Sequence, residues 1–228
     1  MFRLRWLTLI IIFGVSSFNT PAKSEKIEHK KSYASFDIGA VQQESQSTSV
    51  TAIGFGVTVT GTVTANYEPG IAANFAIGHH FNDYLALEAD FGYAYWEYDD
   101  LDITGTATSG GTSVTFATSA ALDGSTQIFS IMPNLILYPL GKSDFSPYIG
   151  IGAGSVYWWE ELNSIGTLAV NAEESGVDVA VNALLGFNFR VGPASTLGVK
   201  YKYGWMNARE VDDDPILHSL TASFKQRF

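Results

Sequence analysis

Carboxylates and ammonium groups at two-residue spacing are the first side chains in this sequence that could do chemistry. Glu88 and Asp90 form one such pair, and Lys200 and Lys202 another. In an extended chain, side chains two positions apart share a face. Each pair therefore presents like charges to one surface. Two carboxylates held together can share a proton and act as an acid pair. Set opposite lysines, the same groups form ion pairs instead. The same alternation turns Asp37, Asp178, Arg190, Lys225 and Arg227 to that inner face, giving four acids against five bases. Near balance favours mutual pairing over acid–base work. The other candidates are weaker. His79 and His80 are adjacent, so a strand sends them to opposite faces and they cannot ligate one metal together. His218 and Ser219 diverge for the same reason, which leaves no nucleophile with its base. His29 stands alone. There is no cysteine, hence no thiol nucleophile, thiolate metal site or disulfide. No Gly-rich phosphate loop joins a strand to a helix. No catalytic residue, metal ligand or cofactor is expected.

The elements that position these groups read as strands. Residues 84–96 alternate most clearly: Leu85, Leu87, Ala89, Phe91, Tyr93 and Tyr95 face one way, Ala86, Glu88, Asp90, Gly92 and Ala94 the other. The same period runs through residues 33–41, 70–81, 126–138, 148–159, 177–191, 197–206 and 216–228. Pro133 lies inside the fourth strand and removes a ladder donor, so a bulge or local irregularity is expected there. Gly150, Gly152 and Gly154 share the inner face of the fifth. The last residues, LTASFKQRF, put Leu220, Ala222, Phe224 and Phe228 outward and finish on an aromatic residue. Such a strand suits a closed barrel better than a sheet edge.

These are eight strands with an apolar outer face and a polar inner one. Charged residues are 16% of the chain and aromatics 14%, a balance that suits lipid on the outside. Acidic residues outnumber basic ones, 23 to 13, which argues against nucleic acid as a partner. Arg3 and Arg5 precede an apolar run at residues 7–15, read as a signal peptide over residues 1–22 with cleavage after Ala22. Residues 23–32 read as a periplasmic leader and residues 33–228 as the barrel. Connections near Asn82, Gly141 and Gly192 are short; residues 42–66, 97–125, 160–176 and 207–215 read as long loops, the first with enough alternation to extend a hairpin. Short turns thus share one end, as in an outer-membrane barrel. Trp96, Trp158, Trp159 and Trp205 fall at the loop end, and Tyr84, Tyr138, Tyr148, Phe189 and Phe228 at the turn end. They are expected to form two aromatic girdles at the membrane interfaces.

Four segments carry a resemblance: FAIGHHFNDYLALEADFGYAYWEY, PNLILYPLGKSDFSPYIGIGAGS, LGFNFRVGPASTLGVKYKY and the closing HSLTASFKQRF. Over residues 33–228 the sequence resembles the eight-stranded outer-membrane β-barrel proteins that include the OmpA membrane domain and the opacity-type surface antigens. Gln226 departs from the apolar outward residue usual in their closing strand. The resemblance implies an all-β, up-and-down transmembrane barrel in the cell outer membrane. It implies contact with outer-membrane lipid and lipopolysaccharide, and assembly by the barrel-assembly machinery through the last strand. Family members serve as anchors, adhesins, antigens or narrow pores, and the fold does not choose among them. A monomeric surface protein with a side-chain-filled lumen is the expected role, with a host or surface ligand left unnamed. A small diffusion channel is the alternative. A secreted lipocalin-like barrel would need the apolar face inward. Acidic groups in the loops (Glu97, Asp99, Asp100 and Asp102; Glu160 and Glu161; Asp212, Asp213 and Asp214) suit a solvated surface, or a divalent cation.

Overall fold

The computed structural model describes residues 31–141, 143–207 and 214–228; the predicted signal peptide, most of the leader, His29, Asp212 and Asp213 fall outside them. Ten strands follow in order: β1 (Ser32–Gln43), β2 (Gln46–Gly54), β3 (Val57–Tyr67), β4 (Gly70–His80), β5 (Leu85–Ser109), β6 (Thr112–Leu137), β7 (Phe145–Ile165), β8 (Leu168–Arg190), β9 (Ser195–Met206) and β10 (Ile216–Arg227). Eight of them, β1 and β4 to β10, pair antiparallel around a closed ring. The seam joins first strand to last, with Phe36 opposite Phe224 and Tyr33 opposite Arg227.

Closure follows from the residue pattern. Outward positions are apolar and exposed, among them Phe36, Ile71, Phe75, Leu87, Ile131, Ile151, Leu185 and Phe224. Inward positions mix small, polar and aromatic side chains. Glycines make the room for the large ones. The Tyr33 ring lies against Gly78 on β4, so close that an added Cβ there would stand 2.1 Å from Cζ. Tyr148 covers Gly186 on β8, and Trp158 covers Gly176 in the same way. An aromatic ring laid over a cross-strand glycine restores the packing that the glycine lacks.

Two expectations are corrected. Residues 97–125 and 160–176 are not loops. They are continuous β-structure: β5 and β6 run 25 and 26 residues and turn at Gly110 and Gly111, and β7 and β8 continue to a turn at Gly166. Their Thr, Val and Ser content supports strand geometry, with glycines at positive φ making the turns. Residues 42–66 also form β-structure, the β2–β3 hairpin, and β3 pairs with the outer half of β5. The outer end therefore carries the sheet β2–β3–β5–β6, continued at its base by the outer parts of β7 and β8. At Pro133 the expected local irregularity is present, without the register shift of a bulge. The β6–β7 ladder pairs Ile131 with Ser155 and resumes, in register, at Asn134 with Gly152, so the two positions between are left out of it.

Candidate functional site: a charged lumen between two apolar plugs

The strand phase brings Asp37 (β1), Glu88 and Asp90 (β5) and Lys200 and Lys202 (β9) into one cluster across the lumen. Lys200 Nζ stands 2.6 Å from Asp37 Oδ2, 3.4 Å from Glu88 Oε1 and 3.6 Å from Asp90 Oδ2. Lys202 Nζ stands 3.3 Å from Asp90 Oδ2 and donates to Asn74 Oδ1 at 3.1 Å. The Tyr33 hydroxyl donates to Glu88 Oε2 at 2.8 Å. All but Lys202 are essentially buried. Charges removed from water this completely persist only when paired and hydrogen-bonded, and these are. Tyr33 and Asn74 escaped the sequence reading, although they obey the same alternation and face inward with Asp37 and Ala72.

The other predicted lumen charges lie elsewhere. Asp178 accepts a hydrogen bond from the Trp158 indole at 2.7 Å, towards the outer end. Arg190 is a correction: it sits at the turn end, exposed, 3.3 Å from Asp144, because β8 finishes there and the turn offers a carboxylate. Lys225 faces the lumen but meets no carboxylate within 4.0 Å among the described residues. It donates to the Tyr138 hydroxyl at 3.2 Å and lies 4.1 Å from the centroid of the Tyr33 ring, a cation–π contact. Arg227 is half-buried and also makes no ion pair there. Alternation decides the face, but height along the barrel decides the partner.

Apolar plugs lie above and below. On the turn side, Tyr33, Ala86, Ile136, Tyr138, Tyr148 and Leu184 pack together, with His80 against Tyr33 and Tyr138. On the outer side, Val41, Ala72, Trp96, Ile128, Met132, Val156, Ala180 and Met206 pack together. Four predicted interface aromatics are therefore corrected. Trp96 is 1% exposed and Tyr148 2%; Tyr138 is buried, and Trp158 packs on the outer plug. Each has the inward phase of its strand, which outweighs its position near a strand end. Trp159, Phe189 and Phe228 are exposed on the outward face, Tyr84 is exposed in the turn before β5, and Trp205 shares the outward phase half-buried. His79 is exposed and within 3.0 Å of Ser32 Oγ, and His218 links Glu44 (2.7 Å) to Tyr201 (2.6 Å) across the seam. Among the described residues no group of three or more side chains is placed to hold a metal.

Beyond Trp159, Glu160 and Glu174 are cross-strand partners on the outer hairpin. Burial holds the Glu160 carboxyl above the ordinary carboxylate range, with the Glu174 charge adding to the shift. The nearby Tyr98 hydroxyl is raised well above its usual value, chiefly by burial.

Comparison with known proteins agrees with this architecture. Neisserial surface protein A is similar in structure at a TM-score of 0.52 and 16% identity, with 86% of this chain and 97% of that one covered. Ail, the attachment invasion locus protein of Yersinia pestis, gives 0.41 at 15% identity over 86% and 99%. OprG from Pseudomonas aeruginosa gives 0.42 at 14% over 87% and 97%. No curated sequence matches significantly. The family model described as the outer membrane protein beta-barrel domain matches residues 10–228. An eight-stranded ring with an apolar exterior and a paired, charged interior, matched over almost its whole length by that model, belongs to the outer membrane β-barrel proteins.

Proposed function

We propose that the protein is a monomeric, non-enzymatic surface barrel that acts through its outer β-structure, with the axial route through its lumen closed. The observation that carries this reading is the length of β5 and β6. They are about twice as long as β9 and β10, at 25 and 26 residues against 12 and 12. A strand needs about 9–11 residues to cross the bilayer. The excess of β5, at about 3.3 Å per residue, projects some tens of ångströms beyond it, where it meets lipopolysaccharide and whatever approaches the cell. The surface of this outer β-structure is Thr-, Ser- and Gly-rich, with Val50, Ile53 and Phe55 exposed on the β2–β3 hairpin and Val114 and Phe116 on β6. A channel needs no such projection.

The test replaces the β2–β3 hairpin and the outer halves of β5 and β6 by short turns. Cells displaying either form are compared for attachment to immobilised extracellular-matrix proteins and to cultured epithelial cells. The shortened barrel should still shift on gels with boiling, and attachment should fall to the level of cells lacking the protein. Attachment by the full-length form that survives the shortening would contradict the reading, as would full-length cells that attach no better than cells without the protein. The small diffusion channel has one supporting feature, a cavity of about 80 Å³ in the outer plug, lined by Val41, Ala72, Met132 and Met206. The Lys200 cluster stands beneath it.

A further inference from the structure

The turn end of the lumen holds more cations than anions. Strand phase puts Arg190 (β8), Thr196 (β9) and Lys225 (β10) on one rung, with Thr196 paired to both neighbours. Arg227 has the same inward phase two residues further along, and its N–H donates to Ala194 O in the β8–β9 turn. Lys225 answers Glu88 at longer range across the lumen. The three carboxylates of the central cluster are thus matched by Lys200, Lys202 and Lys225. Arg190 has Asp144, but that carboxylate is 88% exposed, and an ion pair so open to water is weak. Arg227 makes no ion pair among the described residues. The charge that reaches it from beyond β9 is another guanidinium, that of Arg190.

Neutral donors point to the same missing group. Arg227 Nε is buried without a partner, and so is the hydroxyl of Thr196, a residue 3% exposed. Like charges and unpaired donors gathered at one place are the complement of an oxyanion. The geometry selects among oxyanions. Each guanidinium offers a fork of parallel N–H groups to a pair of oxygens. A carboxylate has one such pair and satisfies one fork. A phosphate has oxygens in four directions, so it serves two forks from different strands and still accepts from a hydroxyl. Strand spacing and rise put the Cα atoms of Arg190 and Arg227 about 12 Å apart, a span that two arginine side chains close around one small ion.

We propose that the periplasmic mouth of the barrel binds a phosphate group, held between Arg190 and Arg227 with the Thr196 hydroxyl as a third donor. The group enters from the periplasm, where both arginines keep contact with water, and the lumen above it stays closed. It belongs to a soluble ion or ester, or to a phospholipid head group at the rim beside Phe228; the recognising chemistry is the same. Bound there, it ties β8 to β10 and braces the turn end next to the β1–β10 seam. The site does not rest on the surface role proposed above, since it uses the opposite end of the barrel.

The test uses the full barrel refolded in maltoside micelles, in phosphate-free buffer at fixed ionic strength, observed by NMR at the arginine Nε–H groups. Inorganic phosphate, glycerol 3-phosphate and dihexanoyl phosphatidic acid are titrated separately, with acetate as control. Saturable shifts at Arg227 and Arg190 are expected with a phosphate probe and not with acetate. Saturation by either soluble probe identifies a soluble ligand; saturation by the phosphatidic acid alone identifies a head group. Arg190→Gln, on the exposed turn, should weaken binding at least tenfold when read at Arg227. Arg227→Gln, if folded by its heat shift on gels, should do the same when read at Arg190. The unmodified protein and Arg190→Gln decide the matter if Arg227→Gln does not fold. Shifts that never saturate, an equal response to acetate, or unchanged binding in a folded variant would overturn the proposal.

Discussion

Lys200 is the hub of the charged cluster. It faces three carboxylates within 4.0 Å, whereas Lys202 faces one and keeps some contact with water. Removing one partner of a buried pair leaves an uncompensated charge and costs about 3–5 kcal/mol. Lys200→Met should therefore lower the unfolding free energy in detergent by about that amount. Lys202→Met should cost less, and equal midpoints for the two variants in a urea series would contradict this ranking. A second residue-scale expectation concerns Glu160, outside the membrane. Its folded pKa is raised, so the folded state holds the proton more tightly than the unfolded chain. The outer β7–β8 hairpin should thus lose stability as pH rises from the ordinary carboxylate value through the raised one, and regain it on acidification. Amide exchange protection across residues 160–174, corrected for the intrinsic pH dependence, measures this. Glu160→Gln should flatten the profile; an unchanged profile would contradict the assignment. Much of the cluster was legible from residues alone, because a period of two settles which way each charge points. The partners were not. Arg190 and Lys225 share the phase of Glu88 and Asp90 but sit at other heights, and that depends on strand stagger.

At the scale of the elements, the glycines opposite aromatic rings set the packing. Gly152, between Asn134 and Asn182, shows how little space is left. A leucine there overfills the interior, and Gly152→Leu should cost about 1–3 kcal/mol, read as a lower unfolding midpoint in detergent. The same change at Gly110, at the exposed tip of the outer ribbon where nothing lies within 4 Å of an added Cβ, meets only the strain of its positive φ and should cost less. The rings over glycines explain why the tryptophans and tyrosines divided differently from the expected girdles. Position along a strand suggested an interface. Phase placed Trp96, Tyr148 and Trp158 inside, where small cross-strand neighbours accept them. The outer ribbons were misread for a different reason: Thr-, Ser- and Gly-rich segments resemble loops in composition, and only their pairing partners, such as Thr60 with Thr106, reveal strands.

For the whole molecule, closure of the ring joins β1 to β10 through eleven paired positions. Phe228 lies just beyond the last of them, 61% exposed, with its N–H donating to Ser32 O at 3.0 Å. Phe228→Asp should reduce the fraction assembled in membranes more than the same change at Phe55 on the outer hairpin; equal levels would contradict a role for this end in insertion. The ring, its polarity and its eight strands were readable from alternation and from short turns that fall at one end. The filled lumen rests on more: three carboxylates and two lysines in one layer, with an aromatic plug below and an apolar plug above. Such a layer should close the barrel to ions. Planar-bilayer recording of the refolded protein should show no steady conductance, with brief openings when Lys200→Ala loosens the central layer. Large, stable channels from the unmodified protein would contradict it.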